Sequence, residues 1–163
     1  MLDALASWLQ STSLSHAIVS VTWVWPVAEI VHFIGLALVL GIAGLFDARL
    51  MGFFRHLPVR AVHELMPYAI GGFLLNLLTG LIFFVGHPEQ YVHNRAWWFK
   101  VACLALAGVN ALVFERILSV RTLPLGPGDD TPAAAKAIGA ISLAAWLGVL
   151  FWGRMLPFIG DAY

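Results

Sequence analysis

The sequence predicts an all-α integral membrane protein, a four-helix bundle preceded by a short N-terminal interfacial helix. Three observations carry this reading. Of 163 residues, 61% are hydrophobic and only 11% charged, against about 25% charged in soluble domains. Four apolar runs recur along the chain, each close to the roughly 20 residues that cross a bilayer. The interruptions inside those runs are mostly glycine and alanine, which let helix backbones approach closely where lipid supplies no hydrophobic drive for association. The length fits a single membrane domain, 1–163.

The elements follow in order. Within 1–20, Leu2, Leu5, Trp8 and Leu9 fall at helical spacing, which predicts an amphipathic helix lying on the membrane surface. Asp3 is the only formal side-chain charge there, so the segment lacks the basic region of a secretory signal. Ser11 to Ser15 read as a polar hinge and His16 as an exposed interfacial residue. The first span covers about 21–46 and the second about 67–86, with Pro67 suited to a first helical turn. The third covers about 96–114. The fourth covers about 132–158, with Thr131 or Asp130 as its expected N-cap. Between the last two, Leu123-Pro-Leu-Gly-Pro-Gly-Asp-Asp-Thr-Pro132 cannot continue a helix and reads as a flexible loop. Gly35, Gly41, Gly44, Gly71, Gly72, Gly80, Gly108, Gly139 and Gly148 read as packing positions.

Basic residues give the orientation. Arg49, Arg55, Arg60, Arg116, Arg121 and Lys136 fall on one side, and Arg95, Lys100 and Arg154 on the other. Six against three predicts a multi-pass protein with the first group in the cytoplasm and both termini outside, which in a bacterial inner membrane is the periplasm. Trp23, Trp25, Trp97, Trp98 and Trp152 then gather at the outer helix ends as an aromatic belt. A net charge of zero excludes a basic field for nucleic acid. A lone cysteine, Cys103, excludes an intrachain disulfide and reads as a packed, inert thiol.

The sharpest feature is His32, inside the first apolar run, because ionisable groups at membrane depth are costly and mark function. If the helix enters near Val24, His32 lies ~12 Å and Glu29 ~7 Å below the outer surface, with Lys100 ~6 Å deep on the third helix. Glu29 and Lys100 are placed to pair, and Glu29 and His32 share a helix face. Three readings of His32 stay open. It could ligate haem iron, since an inward histidine in a helical bundle suits iron. It could be half of a Glu-x-x-His di-metal site, although no second such motif exists. Or it could be a structural histidine bonded to Glu29, Asn76 or water. At its depth the other helices offer about Thr79, Cys103 and Trp146; His87, His93 and Met155 lie nearer the surface, so a haem would be five-coordinate, take an unusual second ligand, or draw one of these inward. Arg95, Lys100 and Arg154 are placed to pair with haem propionates. Asn76, Thr79, Asn110 and Ser142 are the main polar residues at the membrane centre. His56 and His63 read as solvated headgroup contacts on the cytoplasmic side.

The stretch His32-Phe-Ile-Gly-Leu-Ala-Leu-Val-Leu-Gly-Ile-Ala-Gly-Leu-Phe-Asp-Ala-Arg-Leu50 resembles the first helix of a superfamily of small bacterial membrane proteins. That superfamily includes the copper-resistance D-type proteins and the haem-associated membrane protoporphyrinogen oxidase. Trp97-Trp-Phe-Lys100 is similar to the oxidase's tryptophan-then-lysine opening of a later helix. The resemblance implies a haem-binding bundle with His32 as leading ligand and Lys100 as a site residue. The oxidase's acidic, proline-bearing motif before its last helix has no match here.

These readings converge on a b-type haem membrane protein for electron transfer, with a redox partner protein or a homo-oligomeric state. The metal ligand would be His32, with His93 and His87 as further candidates, and the haem contacts Glu29, Lys100, Arg154 and Arg95. Rival readings are an oxidase acting on a porphyrin-like or other hydrophobic substrate, and a non-haem transporter or assembly protein. Copper handling has little support, since Met1, Met51, Met66 and Met155 form no ladder.

Overall fold

The computed structural model describes residues 2–159; Met1 and Gly160 to Tyr163, within the predicted 1–163 domain, lie outside the described residues. Helix α1 (Leu2–Gln10) is followed directly by α2 (Ser13–Ser20). The expected hinge at Ser11 to Ser15 is therefore only a two-residue break, because the Thr12 hydroxyl accepts from Ser15 N and caps α2. Then come α3 (Val24–Leu50), α4 (Val59–His63), α5 (Met66–Gly86), α6 (Pro88–Val92) and α7 (Arg95–Val113). A π-helical turn, Phe114–Leu118, leads into α8 (Ser119–Thr122), and α9 (Ala133–Met155) ends in a 3₁₀ turn, Leu156–Phe158.

Four stretches are long and apolar enough to cross a membrane: Val24–Leu50, Val59–Gly86, Arg95–Thr122 and Ala133–Phe158. The chain is a multi-pass, all-helical membrane bundle. Side chains such as Phe33, Ile34, Leu74, Leu78, Val109 and Leu147 point outward, as lipid-facing residues should, so the spans are apolar all round.

Helix α3 is the hub. It packs on α5 and on α9, α9 packs on α7, and α5 and α7 make no comparable contact. Two glycine crossings set the closest approaches. A Cβ on Gly35 would stand 2.6 Å from Gly72 O, and one on Gly139 would stand 2.7 Å from Asp47 O. Cys103 packs against Gly148 in the same way across α7 and α9. The packing role expected of every glycine fails at Gly41, Gly71, Gly80 and Gly108, where an added Cβ would meet nothing within 4 Å.

The first span runs to Leu50, past the expected end at Phe46. No glycine or proline interrupts 47–51, so the helix continues wherever its charges can be housed. Asp47 turns inward, 4% exposed, and Arg49 is fully buried rather than lying in a loop. Arg49 Nε donates to Leu57 O at 2.7 Å, and Nη2 donates to Gly126 O and Asp129 O at 3.3 and 3.2 Å. One side chain thus ties together the two loops at this end. Backbone bonds Val59 N to Leu125 O and Gly128 N to Arg55 O complete the clasp. The loop expected to be flexible is held at several points. Asp130 and Thr131 do not cap α9 as expected, since Pro132 takes that position without a side-chain bond. Instead Asp130 pairs with Arg55 at 2.9 Å and Lys136 at 2.8 Å, and the Thr131 hydroxyl donates to Leu50 O.

Candidate functional site

His32 sits on α3 one turn before the Gly35–Gly72 crossing, where α5 comes close enough for polar side chains to bridge the helices. Its Nδ1 lies 2.7 Å from Thr79 Oγ1. The Thr79 hydroxyl donates its single proton to Leu75 O, also at 2.7 Å. Thr79 therefore accepts from His32 Nδ1–H, and the Nε2 lone pair has no partner among the described residues. One helical turn away, with its amide oriented to suit its neighbours, Asn76 donates to His32 O at 2.6 Å and accepts from Leu36 N at 3.1 Å. Interhelical hydrogen bonds in membranes average about 0.6 kcal/mol each. Their larger effect here is to fix the rotation of α3 against α5, and with it the direction of the imidazole.

Aromatic rings continue from His32 toward the tryptophan-rich end. Phe83 lies 5.6 Å from the imidazole, Trp25 lies 4.8 Å from Phe83, and His87 meets Trp25 edge-on at 5.2 Å. Lys100, on α7, is half-buried and close enough for its charge to act on His32. Its stem passes Gly153 of α9, with Cε 3.7 Å from where a Cβ would stand there.

The other predicted site residues are placed differently. Glu29 makes no ion pair with Lys100 among the described residues. It is exposed and accepts from Trp25 Nε1 at 3.1 Å. The two point to different neighbours, Lys100 to α9 and Glu29 toward Tyr91 of α6, whose phenol is pushed up to about 12 by burial and then by the Glu29 charge. His93 is on the surface, 2.6 Å from Asp3 of α1, and so pins the N-terminal helix to the loop after α6. Arg95 is exposed at the start of α7, and Arg154 lies over the Phe158 ring at 5.3 Å. No three His, Cys, Asp or Glu side chains gather to hold a metal among the described residues.

Compared with protein-family models, curated proteins and solved structures, the chain matches none. Of the site's residues, His32 would hold the iron of a b-type haem, oriented through Nδ1 as metal-bound histidines are, and the half-buried Lys100 would supply a cation.

Sequence reasoning missed a second polar locus near the arginine-rich end. His63, expected to be solvated, is half-buried, lies 2.6 Å from Glu115 and contacts the rings of Phe46 and Phe114. Glu115 belongs to the π-helical turn, a feature frequent at functional sites. Asp47 is buried close by. The signal was available in Phe46-Asp-Ala-Arg-Leu50, where helical spacing continues unbroken past the charges.

Proposed function

We propose that this chain is a b-type haem-binding membrane protein that transfers electrons, with His32 as axial ligand in the half of the bundle nearer its tryptophan-rich end. The observation that carries the reading is the His32–Thr79 bond, which fixes the imidazole and leaves Nε2 without a partner among the described residues. Haem, when bound, supplies a reversible one-electron couple. The residues of the chain do the rest. Thr79 and Asn76 hold the imidazole and its helix, and Phe83 and Trp25 keep water from it. Lys100 offers a positive charge for a propionate, with Arg95 and Arg154 nearer the interface. In this reading the tryptophan-rich end faces the periplasm, and a redox partner docks on that side.

The test is an oxidised and dithionite-reduced visible spectrum of purified protein from haem-sufficient cells, beside His32→Ala. A Soret band and a sharp reduced α band that vanish in the variant support the reading. A featureless wild-type spectrum overturns it.

A further inference from the structure

A cavity of about 230 Å³ lies between the four spans near their arginine-rich end. Its wall is largely apolar and aromatic, with Phe46, Phe73, Phe114 and Trp146 facing it. Four polar side chains break that wall: Asp47, Asn110, Glu115 and Ser142. Asn110 donates to Ile138 O at 3.0 Å, and Glu115 is bonded to His63. Asp47 is different. It is 4% exposed, and although Ser142 is a polar neighbour of the carboxyl, its buried Oδ2 has no hydrogen-bond partner among the described residues. A buried carboxylate oxygen without a partner is expensive, and at membrane depth it marks a binding function by default.

The lining identifies the partner chemistry. It contains two carboxyl groups, four aromatic side chains and, among the described residues, no lysine, arginine or histidine. That is complementary to a cation, through direct pairing and through ring faces. The size is set by comparison with apolar cavities of about 150 Å³, which accept benzene. Access is lateral. Exposed Ile70 on α5 and exposed Gly108 and Ala111 on α7 belong to the lining, and those two helices do not pack on each other between bridges at either end. The bridges are the Phe84–Trp97 stack at 5.4 Å and, just beyond the two helices, the pair of His63 on α4 with Glu115 of the π-helical turn at 2.6 Å.

We propose that this cavity binds a lipophilic organic monocation, an amine or ammonium carrying one ring-sized apolar group, with Asp47 as its counter-ion and the α5–α7 gap as its entrance from the bilayer. The inference is independent of the haem reading.

The probe is radiolabelled 2-phenylethylamine, with neutral 2-phenylethanol as its comparison. Both are measured by equilibrium dialysis against protein in phosphatidylcholine nanodiscs, with empty discs subtracted. The amine is expected to be retained about tenfold or more over the alcohol, and Asp47→Asn should abolish that preference. Equal retention of amine and alcohol by the wild type overturns the proposal, as does a preference that survives Asp47→Asn. If that variant does not fold, Gly108→Phe decides. Gly108 is exposed, lines the entrance, and an added Cβ there meets nothing within 4 Å, so a bulky side chain is placed to obstruct the gap. Unchanged amine retention in Gly108→Phe overturns the site.

Discussion

His32 Nδ1 and Thr79 Oγ1 meet at 2.7 Å across the α3–α5 crossing, and the bond runs from histidine to threonine because the hydroxyl proton is already given to Leu75 O. Thr79→Val keeps the shape and removes the acceptor. The stranded Nδ1–H should cost about 1–3 kcal/mol of stability, measured by unfolding in mixed micelles. On the haem reading the variant still shows a Soret band, with haem affinity about 10–100-fold weaker by titration of apoprotein. Unchanged stability and affinity would mean that Thr79 does not hold the imidazole.

The same crossing depends on two glycines. A Cβ on Gly35 would stand 2.6 Å from Gly72 O, and one on Gly72 would stand 2.7 Å from Gly35 O. Gly35→Ala should therefore destabilise the bundle by about 1–3 kcal/mol through forced separation of the helices. Gly71→Ala, where nothing lies within 4 Å, should be neutral or slightly stabilising, because alanine is the better helix former. Steric-trapping or mixed-micelle unfolding of the pair checks the contrast.

Much of this was legible in the sequence because it follows from composition and period. Four apolar runs of spanning length gave four spans, and Pro67 sits in the first turn of α5 as expected. The polar exceptions Asn76, Thr79, Asn110 and Ser142 proved to lie at helix seams or the internal cavity. What was not legible was direction. Glu29 and Lys100 have compatible depths, yet rotation about their helices sends them to different neighbours. Nor could spacing distinguish Gly35, which meets α5, from Gly41, which meets nothing. Asp47 and Arg49 fall beyond the expected span end near Phe46, since charge usually ends a span. Here one charge turns toward an internal cavity, and the other finds carbonyls on two loops distant in sequence.

Arg49 closes the arginine-rich end through bonds to Leu57 O, Gly126 O and Asp129 O. Charge-assisted bonds of this kind contribute about 1.5–3 kcal/mol, and a planar fork can serve carbonyls on two loops where an ammonium cannot. Arg49→Lys should accordingly lose on the order of 3 kcal/mol and free both loops. The readout is limited trypsinolysis at Arg55 and Arg121, which should speed up in the variant while the helical circular dichroism persists. Protection equal to wild type would show that the backbone bonds alone hold the clasp.

Asp130 gives that clasp its pH response. The hydrogen bond from Lys136 and the nearby Arg55 charge hold its carboxyl below the usual carboxylate range. A carboxyl lowered in the folded state contributes stability that is fully present above its unfolded value, near 4, and is lost as pH falls through its folded value. The clasp should therefore loosen only in the acid range, below about pH 4, and show no change between neutral and mildly alkaline pH from this group. Both partners are substantially exposed, at 48% for Arg55 and 47% for Asp130, so salt should weaken the effect as well. Trypsin protection of Arg55 followed against pH and ionic strength, wild type beside Asp130→Asn, checks this. The variant should start less protected at neutral pH and lose the acid-dependent step. An acid step that persists in Asp130→Asn would assign it to another carboxyl group.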